Sequence, residues 1–206
     1  MSDRRILFLS SMIGFFAGYA VSQMPHTLPF ARTALELSEG NMSAVFAAVR
    51  AVSLLGVLFS MAADTGGRKR PILAAYSVLL IASLGTALIP SVAAYVATQA
   101  IVRVAVVAIA ALMLVLIAEE LQPGVRALGI GFFGLAGSLG VGVGLLLLPI
   151  AESNDSAWRV LFALSGLGLL VVPLLMRYLP ESRAFVPAPR IPVIKALGMG
   201  LSKHFW

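Results

Sequence analysis

Six apolar runs, each close to the length that crosses a bilayer, leave this 206-residue chain little choice of architecture. They are Ile6–Ser22, Met42–Ala63, Pro71–Ile89, Val92–Ala118, Ala127–Pro149 and Val160–Met176. A helix rises 1.5 Å per residue, so about 20 apolar residues cover a hydrocarbon core of about 30 Å. The runs use more than half the chain, and no stretch remains for a soluble domain. A composition 60% hydrophobic and 12% charged, with a mean hydropathy of +0.98, agrees. The expected fold class is an all-α membrane protein, a six-transmembrane-helix bundle.

A net charge of +6 and a pI near 10.3 could suggest nucleic acid, but the positions of the cations decide otherwise. Arg4 and Arg5 precede the first run, Arg68, Lys69 and Arg70 follow the second, and Arg126 follows the fourth. Arg177, Arg183, Arg190, Lys195 and Lys203 follow the sixth, while the alternate loops carry only Arg32 and Arg159. Cytoplasmic loops are enriched in Lys and Arg, which places the amino terminus and the end of this chain in the cytoplasm. The partner implied is the lipid bilayer, with no nucleic acid. There is no cysteine, which excludes disulfides, thiolate metal sites and thiol nucleophiles. Nothing resembles a phosphate loop, a metal-ligand cluster or a covalent cofactor site, so neither metal nor cofactor is expected.

Residues 1–185 read as one membrane bundle, and "VPAPRIPVIKALGMGLSKHFW", 186–206, as a cytoplasmic linker with a short amphipathic segment. Phe205 and Trp206 look like the aromatic belt that opens another span, so a second half is expected beyond them. "DTGGRKRPIL" and "DSAWRVLFAL" share D-x-x-x-R before an apolar run. With six spans these occupy equivalent places in two inverted three-helix repeats, about 1–90 and 91–180.

"MAADTGGRKRPIL", between the second and third runs, gathers an aspartate, two glycines and three cations in one turn. Asp64 sits where the end of a helix is already negative; Arg68, Lys69 and Arg70 offset it, and Gly66 and Gly67 allow a fast reversal. The pattern resembles the loop signature of the major facilitator superfamily, G-x-x-x-D-x-x-G-R-[RK], with Ser60 in place of the first glycine. "AEELQPGVRALG" resembles the family's junction of fourth and fifth spans, and "WRVLFALSGLGLLVVPLLMRYLPESRAF" its sixth span with a P-E-S-x-R-type end. The resemblance covers the whole chain and implies the amino-terminal six-helix half of a secondary transporter that moves a small solute by alternating access. It also implies a conformational latch of Asp64, Gly67, Arg68 and Lys69, with Glu119 or Glu120 as the acidic partner, and a second six-helix bundle of the same chain.

Arg50 lies about 10 Å into the second run and Arg103 about 16 Å into the fourth. A charge at membrane depth costs at least ~2.5 kcal/mol, so each is expected to face a cavity or a partner. Gln99, one turn from Arg103, and Tyr19 and Gln23 on the first span complete the candidate substrate cavity. His26 is the candidate proton site, because a histidine titrates near neutrality. No Asp or Glu lies within any run. Two arginines without a carboxylate favour an anionic small-molecule substrate by Coulomb attraction. The glycines from Gly129 to Gly144 permit close helix approach, either as static packing or as a sliding surface.

Two other readings compete. A six-span chain could act alone as a homodimeric carrier or a non-transporting sensor. An intramembrane serine protease is more remote: "AGSLG" approaches G-x-S-x-G around Ser138, but no histidine lies inside a span to activate it. A catalytic site is therefore not expected.

Overall fold

The computed structural model describes residues 3–34, 39–53, 55–56 and 67–182. The helices are α1 (Asp3–Ala34), α2 (Glu39–Val52), α3 (Lys69–Thr86), α4 (Val92–Glu120), α5 (Arg126–Leu146), α6 (Leu148–Ala151), α7 (Trp158–Leu164) and α8 (Val172–Tyr178). A 3-10 stretch, Ser165–Val171, joins α7 to α8, and no strand occurs among the described residues. Four of the resulting rods are long and apolar enough to cross a membrane: Asp3–Arg32, Val92–Glu120, Arg126–Ala151 and Trp158–Tyr178. With α2 and α3 they form the six-helix set expected from the apolar runs.

The main departure from the hydropathy reading is α1, which continues past Ser22 through Pro25 and Pro29 to Ala34. Each proline removes an i→i−4 hydrogen bond. Packing outweighs that loss: Met24, Leu28 and Ala31, at helical spacing, are buried in one core cluster with Tyr95, Trp158, Leu161 and Phe162. The three rings of that cluster meet edge to face, with centroids 5.9–6.2 Å apart. This end of the bundle is called the aromatic end below. The opposite end, carrying Arg68, Glu119 and Glu181, is the charged end.

Proline also explains the winding of the sixth rod. Pro173 cannot donate to the Leu169 carbonyl, which accepts instead from the Val172 N–H in a tighter turn. Gly168 sits against Leu80 of α3 and Phe16 of α1, and its carbonyl accepts from the Tyr76 hydroxyl at 3.2 Å. Across the same seam the Ser165 hydroxyl donates to Ser83 Oγ at 2.8 Å.

The glycine row of α5 divides by face. A Cβ on Gly140 would overlap the Phe15 carbonyl, and one on Gly18 of α1 would overlap the Gly137 carbonyl, so α1 and α5 touch backbone to backbone. Gly131, Gly134 and Gly142 face open space. Static packing therefore accounts for only four of the seven glycines, Gly129, Gly137, Gly140 and Gly144.

Candidate functional site

The charged end is built around one turn. Gly67, buried and with a φ of +91°, reverses the chain just before α3 begins at Lys69. That conformation favours glycine. Space requires it too, because a Cβ on Gly67 would lie 2.7–2.9 Å from the Glu181 carboxylate. Glu181, shortly after α8, accepts hydrogen bonds from the Arg68 N–H and, at 3.1 Å, from the Lys69 N–H. The first amides of a helix lack intrahelical partners and carry the positive end of its dipole, so a carboxylate there satisfies donors and offsets charge at once. Arg68, at the N-cap, provides no side-chain cap of its own.

Its guanidinium turns instead to the last turn of α4. Arg68 Nη2 lies 3.2 Å from Glu119 Oε1, and Nε donates to Oε2 at 3.4 Å, a two-pronged contact. The side chains are only 13% and 20% exposed, so water screens this pair less than an open surface pair. Gly67, Arg68, Lys69 and Glu119 therefore come together with Glu181 at this turn, with Lys69 taking part through its amide. Asp64 lies outside the described residues. Glu120 stands next to Glu119 at the end of the helix, half-buried. Glu181 was missing from the expected set although "PESRAF" is visible in sequence. A carboxylate just past a helix, on the side of the basic turn, is the signal that could have found it.

Nearer mid-membrane, a depression of about 170 Å³ opens between α1, α4 and α5, floored by Gly14, Gly18, Gly134 and Gly137. Val106 and Ala110 of α4 line it. Arg103 precedes them at i−3 and i−7, on the same helix face and half-buried. A larger groove of about 270 Å³, among Val52, Leu55, Val78 and Ile101, is like the depression in having no polar side chain in its lining.

Three of the expected cavity residues point elsewhere. Gln99 is buried and donates to Thr86 Oγ1 at 2.9 Å in the α3–α4 seam, away from Arg103. Tyr19 is buried and its hydroxyl donates to the Leu161 carbonyl at 2.9 Å, tying α1 to α7. Gln23 is fully buried, with Nε2 donating to the Tyr19 carbonyl and Oε1 lacking a partner. Spacing along one helix gave Gln99 a neighbour in Arg103; packing of a second helix took its amide instead. Arg50 is exposed, and His26 is half-buried with its Nδ1 unpartnered.

Residues 7–188 match the family described as "Sugar (and other) transporter". The chain belongs to that family. It is 30% identical over 199 residues to myo-inositol transporter 3 of Cryptococcus neoformans, covering 90% of this chain and 31% of the relative. Among solved structures, the proton:xylose symporter XylE bound to 6-bromo-6-deoxy-D-glucose superposes with a TM-score of 0.76 at 21% identity, over 87% of this chain and 45% of that one. The inward-open xylose transporter XylE from E. coli gives 0.73 at 21% identity, over 89% and 50%. The chain thus spans about a third of the curated relative and about half of the solved ones, and its fold is that of the major facilitator superfamily amino-terminal domain. It is an integral membrane protein of a carrier family rather than an enzyme; Ser138, on the exposed face of α5, donates to the Gly134 carbonyl of its own helix.

Proposed function

We propose that this chain is the amino-terminal half of a secondary transporter that moves a small hydrophilic solute by alternating access. The observation that carries the reading is the Arg68–Glu119 contact with Glu181 on the α3 amides, which ties the ends of three rods by groups able to part. Interactions made in one state only bias a two-state equilibrium. In this reading the charged end faces the cytoplasm, Asp64 completes the latch, and residues 186–206 lead to a second six-helix bundle that closes the solute path. The names of the relatives favour a hydroxylated solute, and Arg50 and Arg103 favour a negatively charged one. Coupling to protons within this half falls to His26, to Glu119 or Glu120 at the end of α4, or to a loop acid such as Glu36, since no carboxylate lies deeper in a span.

The test uses the full-length protein in proteoliposomes. Arg68→Gln and Glu119→Gln are each expected to cut transport at least tenfold while insertion and solute binding persist. The absence of cysteine from this chain helps: Ala110→Cys, in the depression, gains labelling from the charged end when the latch is broken. Transport and labelling unchanged in both variants would overturn the reading.

A further inference from the structure

The start of α1 and the end of α8 pack side by side at the charged end, where Ile6 and Leu9 share a core cluster with Leu175 and Leu179. That packing brings one cation from each rod to a single ring. The guanidinium carbon of Arg5 lies 5.4 Å from the centroid of the Tyr178 ring, and that of Arg177 lies 5.3 Å from it. The two charges therefore stand no farther apart than the sum of those distances. A ring face attracts cations through its quadrupole, and a tyrosine at the end of a membrane span sits at headgroup level.

The ring supplies no counter-charge. Arg5 and Arg177 are both exposed, and neither makes an ion pair or a hydrogen bond among the described residues. Asp3 is two residues from Arg5, a spacing at which helical side chains do not face each other. Glu119 is engaged by Arg68, and Glu181 by the α3 amides. Residues 183–206 contain four Lys or Arg and no acid. Toward the membrane interior the surface turns apolar: Phe8, one turn deeper than Arg5, and Pro173, one turn deeper than Arg177, are exposed, and Leu170 continues that surface.

Two cations at headgroup level above an apolar strip match an amphiphile whose anionic head is joined directly to acyl chains. Guanidinium groups bind phosphate oxygens through parallel hydrogen bonds, and basic sites between membrane helices recognise anionic headgroups. We propose that Arg5 and Arg177, held over Tyr178, bind one phospholipid of net negative charge in the leaflet at the charged end. Its phosphate meets the guanidinium groups, and an acyl chain runs along Phe8, Pro173 and Leu170. The bound lipid ties the start of α1 to the end of α8. None of Gly67, Arg68, Lys69, Glu119 and Glu181 takes part, so the transporter reading stands or falls separately.

Native mass spectrometry of the full-length protein in a neutral detergent tests this, by titration with phosphatidylglycerol or with phosphatidylcholine of the same acyl chains. Phosphatidylglycerol is expected to be retained in preference. A basic residue near a lipid surface strengthens anionic-lipid binding about fivefold, so Arg5→Gln and Arg177→Gln are each expected to weaken it by about that factor, and together by about twenty-fivefold. Arg5→Lys with Arg177→Lys is expected to keep most of the affinity, which separates loss of charge from loss of fold. Arg4→Gln, beside Arg5 but not on the ring, is expected to change little. Equal retention of phosphatidylcholine would overturn the proposal. So would an Arg4→Gln loss as large as that of Arg5→Gln, which would mean diffuse attraction, or displacement of the lipid by an equal concentration of glycerol 3-phosphate, which would mean a site for free phosphate.

Discussion

Each end of the bundle is closed by an arginine at the start of a helix, yet the two have different partners. At the charged end Arg68, four residues after Asp64, meets the Glu119 carboxylate, while Glu181 caps the helix that follows. At the aromatic end Arg159, four residues after Asp155, donates to the Ala87 and Ile89 carbonyls at 3.0 and 2.6 Å and lies 4.7 Å over the Trp158 ring. Both arginines lie at an end of α3: Arg68 is its N-cap and reaches to α4, while Arg159 binds carbonyls just beyond its last residue. The carbonyls that terminate a helix are fixed, neutral and hard to hydrate once buried. Carboxylates on separate elements are ionic, solvable by water and free to part. The same residue therefore meets fixed neutral acceptors at one end and an ionic acceptor at the other, and the proposed latch belongs to the second.

The largest expected effect is at the aromatic end. Arg159→Ala strips a charged donor from two carbonyls and lowers stability by about 2–3 kcal/mol, since hydrogen bonds to charged groups contribute about 1.5–3 kcal/mol. Thermal unfolding in detergent measures it, and the labelling pattern at the charged end stays as in the parent. A stable Arg159→Ala protein with altered labelling would erase the distinction between the ends.

Next in size is Gly67→Ala, which forces a side chain into a positive-φ position against Glu181. Backbone strain of that kind costs about 1–3 kcal/mol. The expected signature is a lowered unfolding temperature that Glu181→Ala partly restores, because the shorter side chain makes room. No restoration would place the strain in the backbone alone.

The smallest stability change belongs to the latch pair. A double-mutant cycle over Arg68→Gln and Glu119→Gln is expected to give a coupling of about 0.5–1 kcal/mol, in the upper part of the range of open surface pairs. It should shrink between about 50 mM and 500 mM salt, where the Debye length falls to a few Å. The Arg159 effect should not. Transport, unlike stability, is expected to fall sharply with either latch substitution, and that contrast would separate an energetic anchor from a switch.

Much of this was legible in the chain. Six apolar runs gave the bundle, and the one-sided cations and "DTGGRKR" marked the turn at which Arg68 meets Glu119. Glu181 escaped because a residue 113 positions from Arg68 announces no contact until the sixth rod packs against the third. Tyr19, Gln23 and Gln99 were grouped with the cavity by position along their helices. Their rotational setting, decided by neighbouring rods, turned all three inward.

The sequence by itself determined the class of structure, since apolar length and the absence of water in hydrocarbon admit few solutions, and it determined the chemistry available: arginines within the spans, acids only at their ends, no cysteine. Tertiary structure alone decided which polar groups meet. Hydrophobic burial is non-directional and can be read from composition. Hydrogen bonds and ion pairs act over a few Å between fixed atoms, so they exist only after glycine contacts such as Gly18 with Gly137 and Gly56 with Val104 have set how closely the helices cross.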